Sequence, residues 1–194
     1  SLTRVTYPID NHQVEYDISA TELFGEDYSS SLNIEIVGGD IPAGCFENFN
    51  ANVVVTVSPK TVGDSAFKNS GLTQIALTNT AKIGIEAFTG SKITVATMPR
   101  VTHIGAGAFS DCSQLKSIVL NNAVEVLGEN WIAGSPISKL SGAEFGIRYR
   151  TASNYLVDQA TSTLVYIAPN SNVTDIIVDK EVIRISSSAF NGSN

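Results

Sequence analysis

Charged side chains are scarce in this 194-residue sequence: Asp, Glu, Lys and Arg together make up 16%. That is too little for a protein built on long, salt-bridge-laced helices, while Ser, Thr, Asn, Val and Ile are abundant and suit strands and tight turns. No run of about 18 apolar residues occurs, so no segment reads as a membrane span. Only two cysteines are present, Cys45 and Cys112, which excludes a disulfide-rich scaffold and a four-cysteine zinc site. The two histidines, His12 and His103, lie far apart without ligand spacing, and no G-x-S-x-G elbow accompanies either, so no Ser-His-Asp relay is expected. Glu26-Asp27 and the group Asp10, Glu15 and Asp17 lack the D-x-D-x-D-G pattern of a calcium loop. We expect no catalytic residues, no metal and no cofactor. A Lys/Arg cluster is missing too, so neither nucleic acid nor an anionic membrane is an expected partner.

What is there is a substantial apolar complement, 43% of residues, and an uneven charge distribution. Residues 1–50 hold nine acids against the single base Arg4, whereas the rest of the chain has ten acids and eleven bases. The hydrophobic residues recur with a fixed period, and such a period decides the architecture. Val62-Gly-Asp-Ser-Ala66-Phe67, Ile83-Gly-Ile-Glu-Ala87-Phe88 and Ile104-Gly-Ala-Gly-Ala108-Phe109 superpose without gaps, 21 residues apart. Ile41-Pro-Ala-Gly-Cys45-Phe46 fits the same frame one unit earlier, and Leu23-Phe24 reads as a degenerate earlier copy. Leu127-Gly-Glu-Asn-Trp131-Ile132 and Ile185-Ser-Ser-Ser-Ala189-Phe190 follow later.

A second apolar signature, L-x-x-I-x-L, follows each Ala-Phe: Leu72, Ile75, Leu77; Ile93, Ala96, Met98; Leu115, Ile118, Leu120. Its alternation marks a short strand with one buried face, and the Ala-Phe half has the spacing of a turn or short helix. One such unit cannot bury both its faces alone, so neighbours must stack and pair their strands in parallel about 4.8 Å apart. The result is a solenoid. The glycines in the second repeat position, such as Gly84 and Gly105, suit a bend with positive φ or a close approach between coils.

Ile104-Gly-Ala-Gly-Ala-Phe-Ser-Asp-Cys112-Ser-Gln-Leu-Lys-Ser-Ile-Val-Leu120, with its neighbours over residues 41–142 and 173–194, resembles the BspA-like class of leucine-rich repeats. The resemblance implies a right-handed, curved, β-rich leucine-rich repeat solenoid of the α/β type, with a parallel sheet on one face. It also implies a secreted or surface-anchored protein of host-associated bacteria or protozoa, some relatives being adhesins. The rival architecture is a right-handed parallel β-helix, whose polysaccharide-active members carry stacked charged residues on one sheet; no acid recurs at one slot here.

Two regions break the period. Residues 1–22 are expected to form an N-terminal cap to a solenoid over 23–194, and extra material between Ile132 and Phe190 reads as an inserted β-hairpin at about 145–170, its strands around Tyr155-Leu-Val-Asp158 and Leu164-Val-Tyr-Ile167. The array is expected to resume at Val173-Thr-Asp-Ile176-Ile-Val178. A start at Ser1 without methionine reads as processed or trimmed, and the stop after Phe190 reads either as a longer native protein or as a last coil left open, through which the chain could self-associate. Cys45 and Cys112 fall three coils and roughly 14 Å apart, beyond disulfide reach, and read as buried thiols filling small core slots; Trp131, in the Ala slot, reads as core.

Outward positions on the strand half are small, neutral and partly apolar. Gln74, Thr97, Ser117, Val119, Asn121, Lys139 and Ser141 form the candidate partner-binding face, able to contact an extended polypeptide or glycan without burying much charge. The expected function is binding or adhesion outside the cell, to a host matrix or surface protein and possibly a glycan, without catalysis. A carbohydrate-binding or β-helix-type polysaccharide-active protein, and a spacer within a larger surface protein, are the alternatives.

Overall fold

The computed structural model describes residues 4–7, 33–36, 40–55, 58–152, 155–168, 175 and 177–190. Three strands, β1 (Arg4–Tyr7), β2 (Asn33–Ile36) and β3 (Asn52–Val55), pair in parallel one after another. Each following coil then contributes two short strands: β4 (Thr61–Val62) and β5 (Gln74–Ile75), β6 (Lys82–Ile83) and β7 (Val95–Thr97), β8 (His103–Ile104) and β9 (Ser117–Val119), β10 (Val126–Leu127) and β11 (Lys139–Ser141). β4, β6, β8 and β10 stack into one parallel ladder, which Ile41 extends by a bridge to Val62. The other strands form a second ladder in two sections, β1-β2-β3-β5 and β7-β9-β11. The expected leucine-rich repeat solenoid is thus present. Parallel pairing occupies two sides of it rather than one, and there is no helix among the described residues.

The Ala-Phe segment folds as a six-residue turn, over 64–69, 85–90, 106–111 and 129–134. Two residues in each turn, four positions apart, have positive φ: Ser65 and Asn69, Glu86 and Gly90, Gly107 and Asp111, Asn130 and Gly134. A left-handed residue at both ends of the segment stops a right-handed helix from propagating. The turns instead pair coil to coil through their backbones, with Phe67 N–H donating to Ala87 O at 2.7 Å, Phe88 N–H to Ala108 O at 2.8 Å and Phe109 N–H to Trp131 O at 2.6 Å. These bonds join each turn to the next as the rungs of a ladder join strands.

These turns aim the phenylalanines inward. Phe46, Phe67, Phe88 and Phe109 form a continuous stack with centroid separations of 5.3, 5.6 and 4.9 Å and interplanar angles of 13° or less. Val62, Ile83 and Ile104 from one ladder and Ala96, Ile118 and Leu140 from the other close around it, all buried. The glycine after each first-ladder strand solves a spacing problem. A Cβ on Gly105 would lie 2.5 Å from the backbone of Gly84 and Ile85 in the preceding coil, and the φ there is not left-handed, so close approach rather than the bend requires the residue.

A second row of small residues runs behind the stack: Ser70, Ser91, Cys112 and Ser135, all buried. Cys112 Sγ donates to Phe88 O at 3.0 Å, as Ser135 Oγ donates to Phe109 O at 2.6 Å, and Ser135 Oγ accepts from Cys112 N–H at 2.9 Å. Cys112 is therefore a hydrogen-bonding member of a serine row and not an apolar filler. Cys45 is half-buried, a departure from the expected buried slot; both thiols are free. Burial pushes each thiol up from 9.0 to about 11, and for Cys112 hydrogen bonding from Ser91 and Ser135 opposes that rise. At pH 8 only about one thiol in a thousand is then thiolate, the reactive form. Cys112 should react with a disulfide reagent at pH 8 only after denaturation, Cys45 slowly before it; rapid native labelling of Cys112 would contradict the burial. Because the raised pKa belongs to the folded state, the contribution of these thiols to stability is complete below pH 9 and is lost as pH rises through about 11.

After β11 the repeat gives way to an antiparallel meander, β12 (Tyr149–Ala152), β13 (Tyr155–Asp158) and β14 (Thr163–Ile167), with β15 (Arg184–Ile185) parallel to β14. The hairpin read from Tyr155 to Ile167 is joined by a third strand, which the sequence did not announce. Arg148 and Arg150 tie it down, Arg148 to Asp158 at 2.9 Å and Arg150 to Asp179. Resumption of the array comes at β15, later than Val173–Val178; of that stretch Asp175, Ile177 and Val178 carry no strand, and Val173, Thr174 and Ile176 lie outside the described residues. At the other end, Arg4–Tyr7 belongs to the parallel ladder, so this part of the expected cap continues the solenoid. The remainder of residues 1–22 and Leu23-Phe24 lie outside the described residues.

Candidate binding surfaces

The second ladder sets its side chains in rows by register. Val95, Ser117 and Lys139 are aligned across β7, β9 and β11, and so are Thr97, Val119 and Ser141, while Ala96, Ile118 and Leu140 between them point into the core. Strand alternation explains this: one buried residue per coil fixes its two neighbours on the outside. Five of the seven residues of the candidate face, Thr97, Ser117, Val119, Lys139 and Ser141, are thereby brought into one two-row surface, and Val95, 48% exposed, completes it.

The other two stand apart. Gln74 is exposed on β5, in the neighbouring section of the ladder, at a shallow groove of about 290 Å³ that it shares with Thr73, Ile75, Thr94, Val95 and Thr97. Asn121 is not available to a partner. Its Nδ2 donates to Met98 O and Val101 O, both at 2.7 Å, and its Oδ1 accepts from Ala123 N–H at 2.7 Å. It braces the bend that follows β9, a role invisible in a sequence where Asn merely follows the last apolar residue. By contrast, the hydroxyls of Thr97, Ser117 and Ser141 have no hydrogen-bond partner among the described residues, nor has the Gln74 amide. Lys139 is the one charge on the two rows.

The residues weighed for other chemistry stay dispersed. His103 Nδ1 lies 2.8 Å from the Thr102 hydroxyl on the first ladder, and among the described residues no three His, Cys, Asp or Glu side chains gather as a metal site. His12 and the acids Asp10, Glu15, Asp17, Glu26 and Asp27 lie outside the described residues. No helix of the described residues is long and apolar enough to cross a membrane. At the last described coil Ile185 and Phe190 are 59% and 52% exposed, although their counterparts Ile104 and Phe109 are fully buried.

A further concavity of about 300 Å³ was not anticipated. It lies where the array meets the meander, between turn 129–134, Val165 and Tyr166 of β14, and Ser186–Ser188, with Tyr149 and Asp158 at its side. The only sequence signals for it were Trp131 in an alanine slot and the broken period after Ile132.

Comparison with known proteins agrees with this geometry. No curated protein matches the chain. Among solved structures, the pneumococcal vaccine antigen PcpA superposes with a TM-score of 0.60 at 16% identity, over 81% of this chain and 49% of that one, so the chain spans about half the length of that neighbour. A leucine-rich cell surface protein of Faecalibacterium prausnitzii A2-165 aligns with a TM-score of 0.43 at 16% identity, over 80% of this chain and 65% of that one. The model of the BspA-type leucine-rich repeat region matches residues 39–151 in six copies. With more than half its length so matched, and with the coils, phenylalanine stack and paired ladders that the repeat dictates, the chain belongs to the BspA-type leucine-rich repeat family.

Proposed function

We propose that this chain is a non-catalytic binding module of a secreted or cell-surface protein, and that the two rows on β7, β9 and β11 recognise an extended segment of a host matrix protein or surface glycoprotein. The observation that carries the reading is the combination of a rigid spacing with free polar groups. Parallel pairing holds successive side chains of each row about 4.8 Å apart from coil to coil, and Thr97, Ser117 and Ser141 each present an unengaged hydroxyl beside the apolar surfaces of Val95 or Val119. Such a face can hydrogen-bond a peptide or glycan while burying a single charge, Lys139, and so avoids most of the cost of desolvating ions. The fold likeness to PcpA, described as a vaccine antigen, and the BspA-type repeat both favour a location outside the cell.

Immobilised matrix proteins and surface glycoproteins offered to the purified chain test this. The reading expects saturable binding to at least one of them. Linear, unsaturable retention across the whole panel would exclude it.

A further inference from the structure

The cavity at the junction exists because β14 provides a ladder rung without providing a turn. β14 stands against β15 as β8 stands against β10: Leu164 is in register with Ile185, and Ser186 N–H donates to Leu164 O at 2.8 Å, as Gly128 N–H donates to Ile104 O at 2.8 Å. Each earlier coil bends into its six-residue turn directly after this rung, but β14 runs on as a strand to Ile167. The space a turn would fill is left between residues 129–134 on one side and 186–188 on the other, about 300 Å³, at the lower end of the range for small-molecule sites.

The residues around that space depart from the repeat in a chemically consistent direction. Trp131 occupies the slot of Ala66, Ala87 and Ala108, and Tyr166 and Tyr149 join it. Trp131 and Tyr166 are 3% and 2% exposed, yet neither the indole Nε1 nor the phenol oxygen has a hydrogen-bond partner among the described residues. Buried polar groups without a partner are rare in folded proteins, and each costs about 1–3 kcal/mol, so two on one cavity call for an explanation. Burial holds the Tyr166 phenol far above its ordinary titration range, which leaves it a neutral donor at any physiological pH. The polar part of the remaining lining is hydroxyl, amide and carboxylate, from Ser186, Ser187, Ser188, Asn130, Glu129 and Asp158, with no Lys or Arg, and aliphatic side chains complete the wall.

We propose that this cavity, walled by Trp131, Tyr149, Asp158, Tyr166 and Ser188, binds a single neutral pyranose ring. A sugar hydroxyl both donates and accepts, so one ring can accept from the Trp131 indole and the Tyr166 phenol and donate to Asp158 and Glu129. The aromatic rings offer apolar contact for its C–H groups. Asp158 is ion-paired with Arg148 at 2.9 Å, and the remaining carboxylate of the lining, Glu129, disfavours sugars that carry a carboxylate. Reaching the two buried donors takes a small shift of the wall, of the side-chain kind common at binding sites. The site is separate from the strand face, and either can fail without the other.

Trp131 is the only tryptophan of the chain, so its fluorescence reports on this cavity alone. Methyl glycosides of glucose, galactose, mannose and N-acetylglucosamine should include at least one that shifts the emission saturably in the millimolar range, a binding free energy of about −4 kcal/mol. Glucuronic and sialic acids should not. Tyr166→Phe should weaken the response at least tenfold while leaving the far-ultraviolet circular dichroism unchanged. Titrations with proteins bearing the same sugar as a terminal unit separate the two sources: tighter binding than the free glycoside assigns the site to a glycan end, equal binding to the free sugar. No saturable shift with any neutral glycoside up to about 100 mM, well beyond the millimolar affinity expected, overturns the proposal, as does an undiminished response in Tyr166→Phe.

Discussion

Phe88→Ala is expected to lower the unfolding free energy by about 3–5 kcal/mol, the range for removing a fully buried aromatic side chain. Phe88 is fully buried and has a ring on each side, Phe67 at 5.6 Å and Phe109 at 4.9 Å, so its loss opens a gap that neither coil can close without breaking the backbone bonds between turns. In a linear array each coil is held mainly by its neighbours, so cutting a central coil uncouples the coils before it from those after it. Urea denaturation followed by circular dichroism should show both a lower midpoint and a broader transition. Among the described residues Phe46 is the first ring of the stack, with one stacked neighbour, Phe67, and Phe49 edge-on at 6.0 Å, and Phe46→Ala should cost less. Equal losses at the two positions, or less than about 1 kcal/mol at Phe88, would contradict a core organised as a stack.

The second large effect is expected at a residue with no side chain. Gly105→Ala places a methyl group 2.5 Å from the backbone of Gly84 and Ile85, and backbone in a paired ladder cannot give way as a side chain can. The coils must separate, with strain on the bond from Gly105 N–H to Ile83 O at 2.9 Å, and the expected loss is about 3 kcal/mol or more, at the upper end for overpacking. Gly44→Ala is the informative control. Gly44 has φ +63° but open space around it, the nearest atom being Glu47 Oε2 at 3.8 Å, so only the left-handed backbone penalty of about 1–2 kcal/mol applies. Thermal unfolding of both variants separates the two uses of glycine; a Gly105 variant as stable as the Gly44 variant would show that coil spacing is not fixed by close approach.

Much of this fold could be read in the sequence because the repeat makes one physical problem recur. Ile104, Ala108, Phe109, Leu115 and Ile118 each appear in several coils, so their pattern stands out from any single coincidence, and each is buried where the period placed it. The two-row face was legible for the same reason, since alternation about Ile118 and Leu140 fixes Ser117, Val119, Lys139 and Ser141 on the outside. Asn121 was misjudged because the carbonyls that accept its hydrogen bonds, of Met98 and Val101, lie in the coil before it, 20 and more residues away, and no local pattern records that. The first ladder went unread because a two-residue strand such as His103–Ile104 is too short to show alternation. The junction cavity was the least legible feature: it arises from a turn that β14 omits, and only the position of Trp131 hinted at it.

The measurement that bears most directly on the proposed function is the dissociation constant for whichever matrix protein or glycoprotein binds, measured for the wild-type chain beside two variants. Thr97→Arg/Ser117→Arg alters the two-row face on adjacent strands, and Val126→Arg places one arginine on an exposed position of the opposite ladder. The account predicts that the first variant loses affinity at least tenfold, about 1.4 kcal/mol, while the second binds as wild type does. Loss of binding in Val126→Arg with full affinity retained in Thr97→Arg/Ser117→Arg would place recognition on the other side of the solenoid and contradict the account.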